Sequence, residues 1–252
     1  MNTHFKLGKA PARKNSVKLK FSAYLSKKLP PPPVEGGHLE LVHNLAFGML
    51  GNDKYGDCVW AGAAHETMAW NAYAKSGVTF TPKSILSDYS AVTGFNPKDP
   101  NTDQGTDMQV AAKYRQDTGV LDCKGKRHKI GAYLALANNT TQIRQAVHLF
   151  GAAGIGIKFP DYAMDLFNKG EDWVPQKGGT IEGGHYIPAI VYDHDWVYVV
   201  TWGKLIRASW EFITVYMDEG VVYLSEEMLV NGKSLEGFNL ATLQADLAAI
   251  RS

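Results

Sequence analysis

The stretch Gly51-Asn52-Asp53-Lys54-Tyr55-Gly56-Asp57-Cys58-Val59-Trp60-Ala61 carries the most informative chemistry of this 252-residue chain. Glycines stand where bends are needed, and Asp57 is predicted to cap a helix that begins at Cys58 and runs to about Tyr73. A thiol in the first helical turn meets the positive end of the helix dipole, which favours the thiolate. Two interpretations of Cys58 follow, a reactive nucleophile or a small buried core residue.

A candidate base for this thiol lies in the second half of the chain, in Gly183-Gly184-His185-Tyr186-Ile187-Pro188-Ala189-Ile190. The apolar run predicts a strand that starts near His185, and the two glycines allow another element to approach closely. A nucleophilic thiol needs a base to accept its proton, and a thiolate–imidazolium pair meets that need. The alternative is an ordinary histidine at the end of a strand.

The hydrophobic pattern changes its period near the middle of the chain. Helical spacing with caps and glycine stops predicts helices in the first half, whereas strand-like runs dominate the second. The predicted helices cover residues 58–73, 82–94, 106–119, 140–150, 210–216 and 240–250, and the predicted strands cover 153–159, 186–191, 196–202, 206–208 and 221–224. This order predicts an α+β architecture of two packed lobes.

Charge is distributed unevenly, although the net charge is only +1. Residues 1–34 contain eight basic side chains and no acidic one, and the remainder has 18 basic and 25 acidic residues. Residues 30–33 are four prolines, which favour an extended conformation. We therefore predict a basic, extended N-terminal arm over residues 1–33, with residues 1–28 on a surface or mobile. Such an arm is suited to contact nucleic acid, an acidic protein partner or the acidic remainder of the chain.

Composition excludes several classes of protein. With 45% hydrophobic and 20% charged residues, the chain can bury a core and is not wholly disordered. We recognise no signal peptide or transmembrane segment, so we expect a cytoplasmic or virion location and no membrane contact.

Cys58 and Cys123 are expected to be free thiols. His65-Glu66 lacks the second histidine of a zinc-protease helix, and no phosphate-binding loop is present, so we expect neither metal nor cofactor.

In their order along the chain, the segments from about Pro33 to Gly203 resemble the papain-like cysteine peptidase superfamily. In that family a cysteine heads a long helix of the first lobe, and its histidine lies about 130–150 residues downstream on a strand of the second lobe. Here 127 residues separate Cys58 from His185. The family also places an oxyanion-hole amide six residues before the cysteine, where Asn52 stands. The segment Gly-Asn-Asp-x-x-Gly-Asp-Cys is similar to that of a bacterial and phage branch.

The strand that carries the third catalytic residue departs from the family. The family usually has Asn-Ser-Trp-Gly there, and this chain has Val200-Thr201-Trp202-Gly203. Alignment on Trp-Gly puts Val200 in the place of asparagine, whereas the family's sixteen-residue step from the histidine puts Thr201 there. Only one of two successive strand residues can face His185, and only threonine can hydrogen-bond to the imidazole. Charged alternatives, Asp193 and Asp195, are expected to lie in a hairpin turn and point to solvent.

The resemblance implies a papain-like domain over residues 34–252. Its helical lobe, led by the Cys58 helix, would cover about 34–150, its twisted antiparallel β lobe about 151–235, and a C-terminal helix 239–251.

The resemblance also implies a cysteine peptidase or amidase that acts on a peptide or amide substrate through an acyl-enzyme. Cys58 would attack the carbonyl, His185 would hold and deliver the proton, and Asn52 would stabilise the oxyanion. Thr201 would orient the histidine, and Trp202 would shield it from water. The alternative is a papain-like scaffold without turnover that serves as a binding or structural component of a larger assembly, such as a virion. The basic arm and the missing asparagine favour this alternative.

Overall fold

The computed structural model describes residues 3–13, 17–25, 31–237, 239 and 245. Within these ranges the helices are α1 (Phe21–Leu25), α2 (Leu39–Val42), α3 (Cys58–Tyr73), α4 (Pro82–Thr93), α5 (Met108–Asp117), α6 (Thr140–Phe150), α7 (Tyr162–Lys169) and α8 (Trp210–Tyr216). The strands are β1 (Val120–Leu121), β2 (Arg127–His128), β3 (Ala132–Ala135), β4 (Ala153–Pro160), β5 (Ile181–Tyr192), β6 (Trp196–Thr201), β7 (Lys204–Ser209) and β8 (Met217–Leu224). The helix predicted over residues 239–251 falls outside the described residues, except at positions 239 and 245.

Helix α3 forms the centre of the first lobe. It is buried on almost every side, and its many alanines and one glycine let neighbouring elements approach closely. The predicted start at Cys58 agrees with the structure, but the predicted cap does not. Asp57 makes no side-chain capping hydrogen bond, because its carboxyl is buried and turned toward Gly51, where an added Cβ would lie 2.9 Å from Asp57 Oδ2. Burial raises the pKa of Asp57 well above its usual value.

A six-stranded antiparallel sheet forms the second lobe, with strand order β3-β8-β4-β5-β6-β7. The central strand β4 is buried at all but one of its positions, which explains why it reads as a continuous apolar run rather than an alternating one. Its Ile157 lies opposite His185 of β5. Strand β6 lies on the other side of β5. Its last residue, Thr201, pairs with Lys204 of β7.

Two hydrophobic cores follow from this arrangement. One surrounds α3 in the helical lobe, and the other lies against the sheet and includes side chains of α6, α7 and α8. Because β3 pairs with β8 and α6 packs into the second core, residues 132–150 contribute to the β lobe, although they precede the boundary that we placed at residue 150. Strand β3 has only four residues, too few for a clear sequence pattern.

Candidate active site

Cys58 is the first residue of α3 and is only 2% exposed. The backbone N–H groups of Tyr186 and Gly8 lie against its thiol and lower its pKa, but burial outweighs them and raises the pKa to about 12. The sequence predicted that the helix N-terminus would favour the thiolate. In this structure the thiol is instead protonated, because the desolvation of a buried anion costs more than the nearby dipoles return.

His185 lies on β5, next to Tyr186, and its ring has two defined neighbours. Its Nε2 lies 2.7 Å from Thr201 Oγ1, and its ring stacks on Trp202 with centroids 4.4 Å apart and planes 16° from parallel. Its Nδ1 has no hydrogen-bond partner among the described residues. Burial lowers the pKa of His185 to about 3. The imidazole is therefore neutral, with one nitrogen held and the other uncommitted.

Of the two candidates for the third position, Thr201 faces the imidazole. Val200 points the other way and packs in the core around α3. Asp193 does not approach the histidine, since its carboxylate accepts hydrogen bonds from the backbone of Asp195 and Trp196 and from the Tyr198 hydroxyl.

Asn52 lies in the loop before α3 and is 2% exposed. Its Nδ2 donates to two carbonyls, that of Tyr55 at 3.0 Å and that of Lys6 at 3.2 Å. The loop is held by Asp103, which accepts hydrogen bonds from the Gly56 backbone and from the Tyr89 hydroxyl. The amide is thus directed toward a carbonyl that enters from another part of the chain.

That carbonyl belongs to the N-terminal arm, which we expected on a surface or mobile. Residues 5–10 instead cross between the two lobes. Gly8 and Lys9 donate backbone hydrogen bonds to Gly184 O of β5, at 3.2 and 3.0 Å. On the helical side, Thr106 N donates to Gly8 O at 2.8 Å, and Ala10 N donates to Thr106 O at 3.0 Å.

The arm touches each predicted site residue except Thr201 through a direct contact or through a neighbour. The Phe5 ring stacks on Trp202 at 5.4 Å, and Trp202 Nε1 lies 3.4 Å from Lys6 O. The backbone N–H of Gly8 lies against the Cys58 thiol. At this point the arm offers the thiol a hydrogen-bond donor and not a carbonyl carbon that it could attack. An added Cβ at Gly8 would lie 1.9 Å from Gly56 O, so only glycine fits there. No motif in the sequence marked this segment, because its partners are 46 to 210 residues away.

Three buried polar side chains, those of Tyr186, Glu66 and Arg115, form a hydrogen-bonded group next to the candidate site. Tyr186, the residue after His185, donates its hydroxyl to Glu66 Oε1 at 2.5 Å, and Arg115 Nη1 donates to Glu66 Oε2 at 2.6 Å. Glu66 stands on α3, two turns after Cys58. The group therefore ties the helix that carries the thiol to the strand that carries the imidazole.

Comparisons with known proteins agree with this architecture. No protein-family model and no curated protein matches the sequence. Among solved structures, xylellain, a cysteine protease from Xylella fastidiosa, superposes with a TM-score of 0.64 at 17% identity, over 89% of this chain and 98% of its own. The cysteine protease CMS1MS2 of Carica candamarcensis, in complex with E-64, superposes with a TM-score of 0.56 at 12% identity, over 77% of this chain and 99% of its own. A structure from work on the mite allergens Blo t 1 and Der p 1 superposes with a TM-score of 0.57 at 10% identity, over 79% and 73% of the two chains.

The chain adopts the papain-like fold. Each of these likenesses spans both lobes, so the predicted fold class, α+β with a helical lobe and an antiparallel β lobe, is confirmed. In the papain-like fold of this chain, residues 5–8 of the arm contact Asn52, Cys58 and Trp202 directly and reach His185 through its neighbour Gly184.

Other residues that the sequence singled out have structural roles. His65 is buried and its Nε2 bonds to Gly48 O at 3.0 Å. His128 is also buried, and its ring lies between Glu227 and Asp122. Cys123 is exposed, and neither cysteine is in a disulfide.

Two kinds of feature, a metal-binding cluster and a membrane-spanning helix, are absent from the described part of the chain. No three His, Cys, Asp or Glu side chains there are arranged to hold a metal ion. No helix there has both the length and the apolar character that crossing a membrane requires.

Proposed function

We propose that this protein is a papain-like cysteine peptidase or amidase, with Cys58 as nucleophile and His185 as general base and acid. Cys58 attacks the carbonyl carbon of a peptide or amide while His185 Nδ1 takes the thiol proton. His185 then delivers that proton to the leaving amine, and water hydrolyses the thioester. Asn52 stabilises the oxyanion, a type of interaction worth about 10²–10³ in rate in enzymes where it has been measured. Thr201 is a positioning residue for the imidazole.

The observation that carries this proposal is the environment of His185. A histidine that served only as core packing would have no need of a free Nδ1 in a fully buried place, because unpartnered buried nitrogens are costly. Here Nε2 is held by Thr201, the ring is fixed on Trp202, and Nδ1 is left without a partner among the described residues. The adjacent backbone N–H, that of Tyr186, lies against the Cys58 thiol. The thiol of Cys58 therefore lies against the backbone of the residue that follows the proton acceptor.

The arm makes this site latent. It lies against the Cys58 thiol through Gly8 and against Trp202 through Phe5, at a place where burial raises the pKa of the thiol and lowers the pKa of His185. Departure of residues 5–10 would return solvent to both groups, and their pKa values would move toward a range in which proton transfer between them is possible. Turnover therefore requires that the arm be displaced.

The second candidate function is the scaffold without turnover, and one observation favours it. With the arm in place both groups are neutral, and the arm is fitted closely enough that Gly8 admits no side chain. If the arm never leaves, the papain-like fold serves as a rigid body with a structural N-terminal strand. The two functions differ in the reactivity of Cys58 once the arm is out.

Alkylation of the full-length chain with iodoacetamide between pH 4 and 9, with peptide mapping of both cysteines, tests this. In the wild type we expect slow labelling of buried Cys58 and fast labelling of exposed Cys123. Gly8→Val expels the arm by collision with Gly56, and we expect Cys58 labelling to rise at least about tenfold and to persist below the usual thiol pKa of about 8.5. Pro11→Ala, at an exposed arm position, is the matched control and leaves the rate unchanged.

His185→Ala in the Gly8→Val background separates the two functions. The hydrolase requires that the gain in Cys58 labelling at low pH disappear, because the base is gone. The scaffold predicts equal labelling of Cys58 with or without His185. Limited proteolysis of the arm in both variants verifies that it has left the cleft.

A further inference from the structure

The arm places one charged side chain in a pocket of its own. The side chain of Lys9 is fully buried, and its Nζ lies 3.2 Å from Asp218 and 3.0 Å from Glu219, both on β8. A third acceptor, the carbonyl of Ala10, lies 3.0 Å away. Lysine is rarely buried unless it is paired, so this pocket supplies what a cation needs.

The pocket is shaped for a long, straight side chain. An added Cβ at Gly156 of β4 would lie 2.6 Å from Lys9 Cδ, and 2.8 Å from the sulfur of Met108. Gly156 therefore leaves the room that the methylene chain occupies, and Met108 forms part of an apolar wall. At its far end, Asp218 and Glu219 also line a cavity of about 300 Å³, which leaves space for a cation longer than lysine.

The position of the pocket relates it to the site. Lys9 follows Gly8, whose N–H lies against the Cys58 thiol, and its own backbone N–H bonds to Gly184 O, next to His185. Any extended peptide in this cleft would present a side chain to the pocket within a residue or two of the thiol, whichever direction the peptide runs.

Charge decides what the pocket accepts once the arm has left. With Lys9 in place the two carboxylates are 14% and 15% exposed, and its departure removes the ammonium that forms a salt bridge with both. Buried charges that lack a partner are costly, and burial already raises the pKa of Glu219. A neutral or acidic side chain would leave that cost in place, whereas an ammonium or a guanidinium would remove it.

We propose that the pocket filled by Lys9 is the recognition pocket for a basic side chain, so that the preferred substrates are peptides with lysine or arginine at that position. This inference rests on the proposed hydrolase function, whose substrate class it names. In the latent state, Lys9 occupies the pocket as the side chain of a substrate would.

A binding experiment tests the pocket without any turnover. The full-length Gly8→Val, Cys58→Ala chain is titrated with a fluorescein-labelled peptide of residues 3–13, and with the same peptide carrying norleucine in place of Lys9. Norleucine keeps the methylene chain and lacks the ammonium. We expect the norleucine peptide to bind about tenfold more weakly or worse. Asp218→Asn with Glu219→Gln should abolish this difference, whereas Glu226→Gln, an exposed acid outside the pocket, should keep it.

A labelling experiment tests substrate selection. The Gly8→Val chain with Cys58 intact is treated with peptidyl acyloxymethyl ketones that carry lysine, arginine or norleucine at each of the three residues before the reactive group. We expect lysine or arginine to accelerate Cys58 labelling about tenfold at one position, and the Asp218→Asn, Glu219→Gln double variant to lose the preference. If Gly8→Val fails to fold, Phe5→Ala, which removes the stacking on Trp202, releases the arm instead.

The outcomes separate the two proposals. Lysine and norleucine peptides that bind equally, or probes that label Cys58 without preference for a basic residue, overturn the pocket and leave the hydrolase standing. A lysine preference in binding with no labelling by any probe upholds the cation pocket and overturns the hydrolase.

Discussion

At the scale of single residues, a threonine hydroxyl stands where papain-like peptidases usually have an amide. A hydroxyl can accept a hydrogen bond from the Nε2–H of His185, and that tautomer leaves Nδ1 free to accept the thiol proton. The ring is also held by stacking on Trp202, whose φ of 43° lies in the left-handed region. Trp202 needs this unusual backbone at the turn between β6 and β7 to place its ring on the imidazole.

Thr201→Val tests the hydroxyl, because valine has nearly the same shape. It leaves a buried imidazole nitrogen without a partner, so we expect a loss of about 1–3 kcal/mol in the free energy of unfolding. In the Gly8→Val background we also expect Cys58 labelling at pH 6 to slow about tenfold, because the imidazole loses its orientation. Thr201→Ser is the control and should restore the labelling rate. Equal rates for valine and serine would remove Thr201 from the site.

At the scale of elements, α3 and β5 approach each other closely, which brings the Cys58 thiol against the backbone N–H of Tyr186, the residue after His185. Gly62 of α3 faces Tyr186 of β5, and an added Cβ there would lie 2.4 Å from the tyrosine ring. The same tyrosine donates to Glu66, one turn further along α3. Tyr186 therefore has two roles. Its ring sets the distance between α3 and β5, and its backbone N–H makes the contact with Cys58.

Gly62→Ala should consequently push α3 away from β5. Alanine is the better helix former by about 1 kcal/mol, but overpacking in a dense core costs about 1–3 kcal/mol, so we expect net destabilisation in urea unfolding and slower Cys58 labelling in the Gly8→Val background. Gly77→Ala is the matched control, since an added Cβ there meets nothing within 4 Å. A Gly62→Ala protein as stable and as reactive as its parent would contradict the close-approach argument.

At the scale of the whole molecule, buried neutral histidines link stability to pH. Burial lowers the pKa of His65 to about 4, whereas the unfolded chain binds that proton near pH 6.5. The unfolded state therefore takes up the proton first, and stability falls as pH falls from about 6.5 to about 4. The contribution of His128 to stability changes with pH in the opposite direction. Burial opposes its charge, but Glu227 and Asp122 together raise its pKa, so its contribution is present below about pH 6.5 and is lost as pH rises.

His65→Gln should flatten the acid side of the stability profile. Glutamine can keep a hydrogen bond to Gly48 O and does not titrate, so we expect a lower free energy of unfolding at pH 7 but a smaller loss, by about 2–3 kcal/mol, between pH 6.5 and 4. Urea unfolding at several pH values measures this. His43→Gln, at an exposed position, is the control, and an equal slope in both variants would show that His65 titrates in the same way in the folded and unfolded chain.

Several site residues could be predicted from the sequence because their signals are local. The glycine-rich loop before Cys58 and the alanines after it predict the helix. An apolar run predicts the strand that carries His185. The alternation of side chains along a strand showed that only one of Val200 and Thr201 can face His185, and the hydroxyl of threonine decided between them. The cap at Asp57 was wrong, since a capping residue can equally be turned inward and buried, and local pattern does not distinguish the two.

The sequence by itself predicted the longer helices and strands, apart from α7, and its resemblance to the papain-like superfamily predicted the fold and the candidate site residues. Periodicity, caps and spacing are properties of short segments, and they fix which elements form. Only the tertiary structure decided the state of the site, because the arm reaches it through contacts with residues far away in the chain, such as Asn52, Gly184 and Glu219. Burial in the folded chain raises the pKa of Cys58 and lowers that of His185. The eight basic residues of the arm left nucleic acid, an acidic protein partner and the acidic remainder of the chain open as contacts, and only the fold showed that Lys9 pairs with Asp218 and Glu219 of the chain itself.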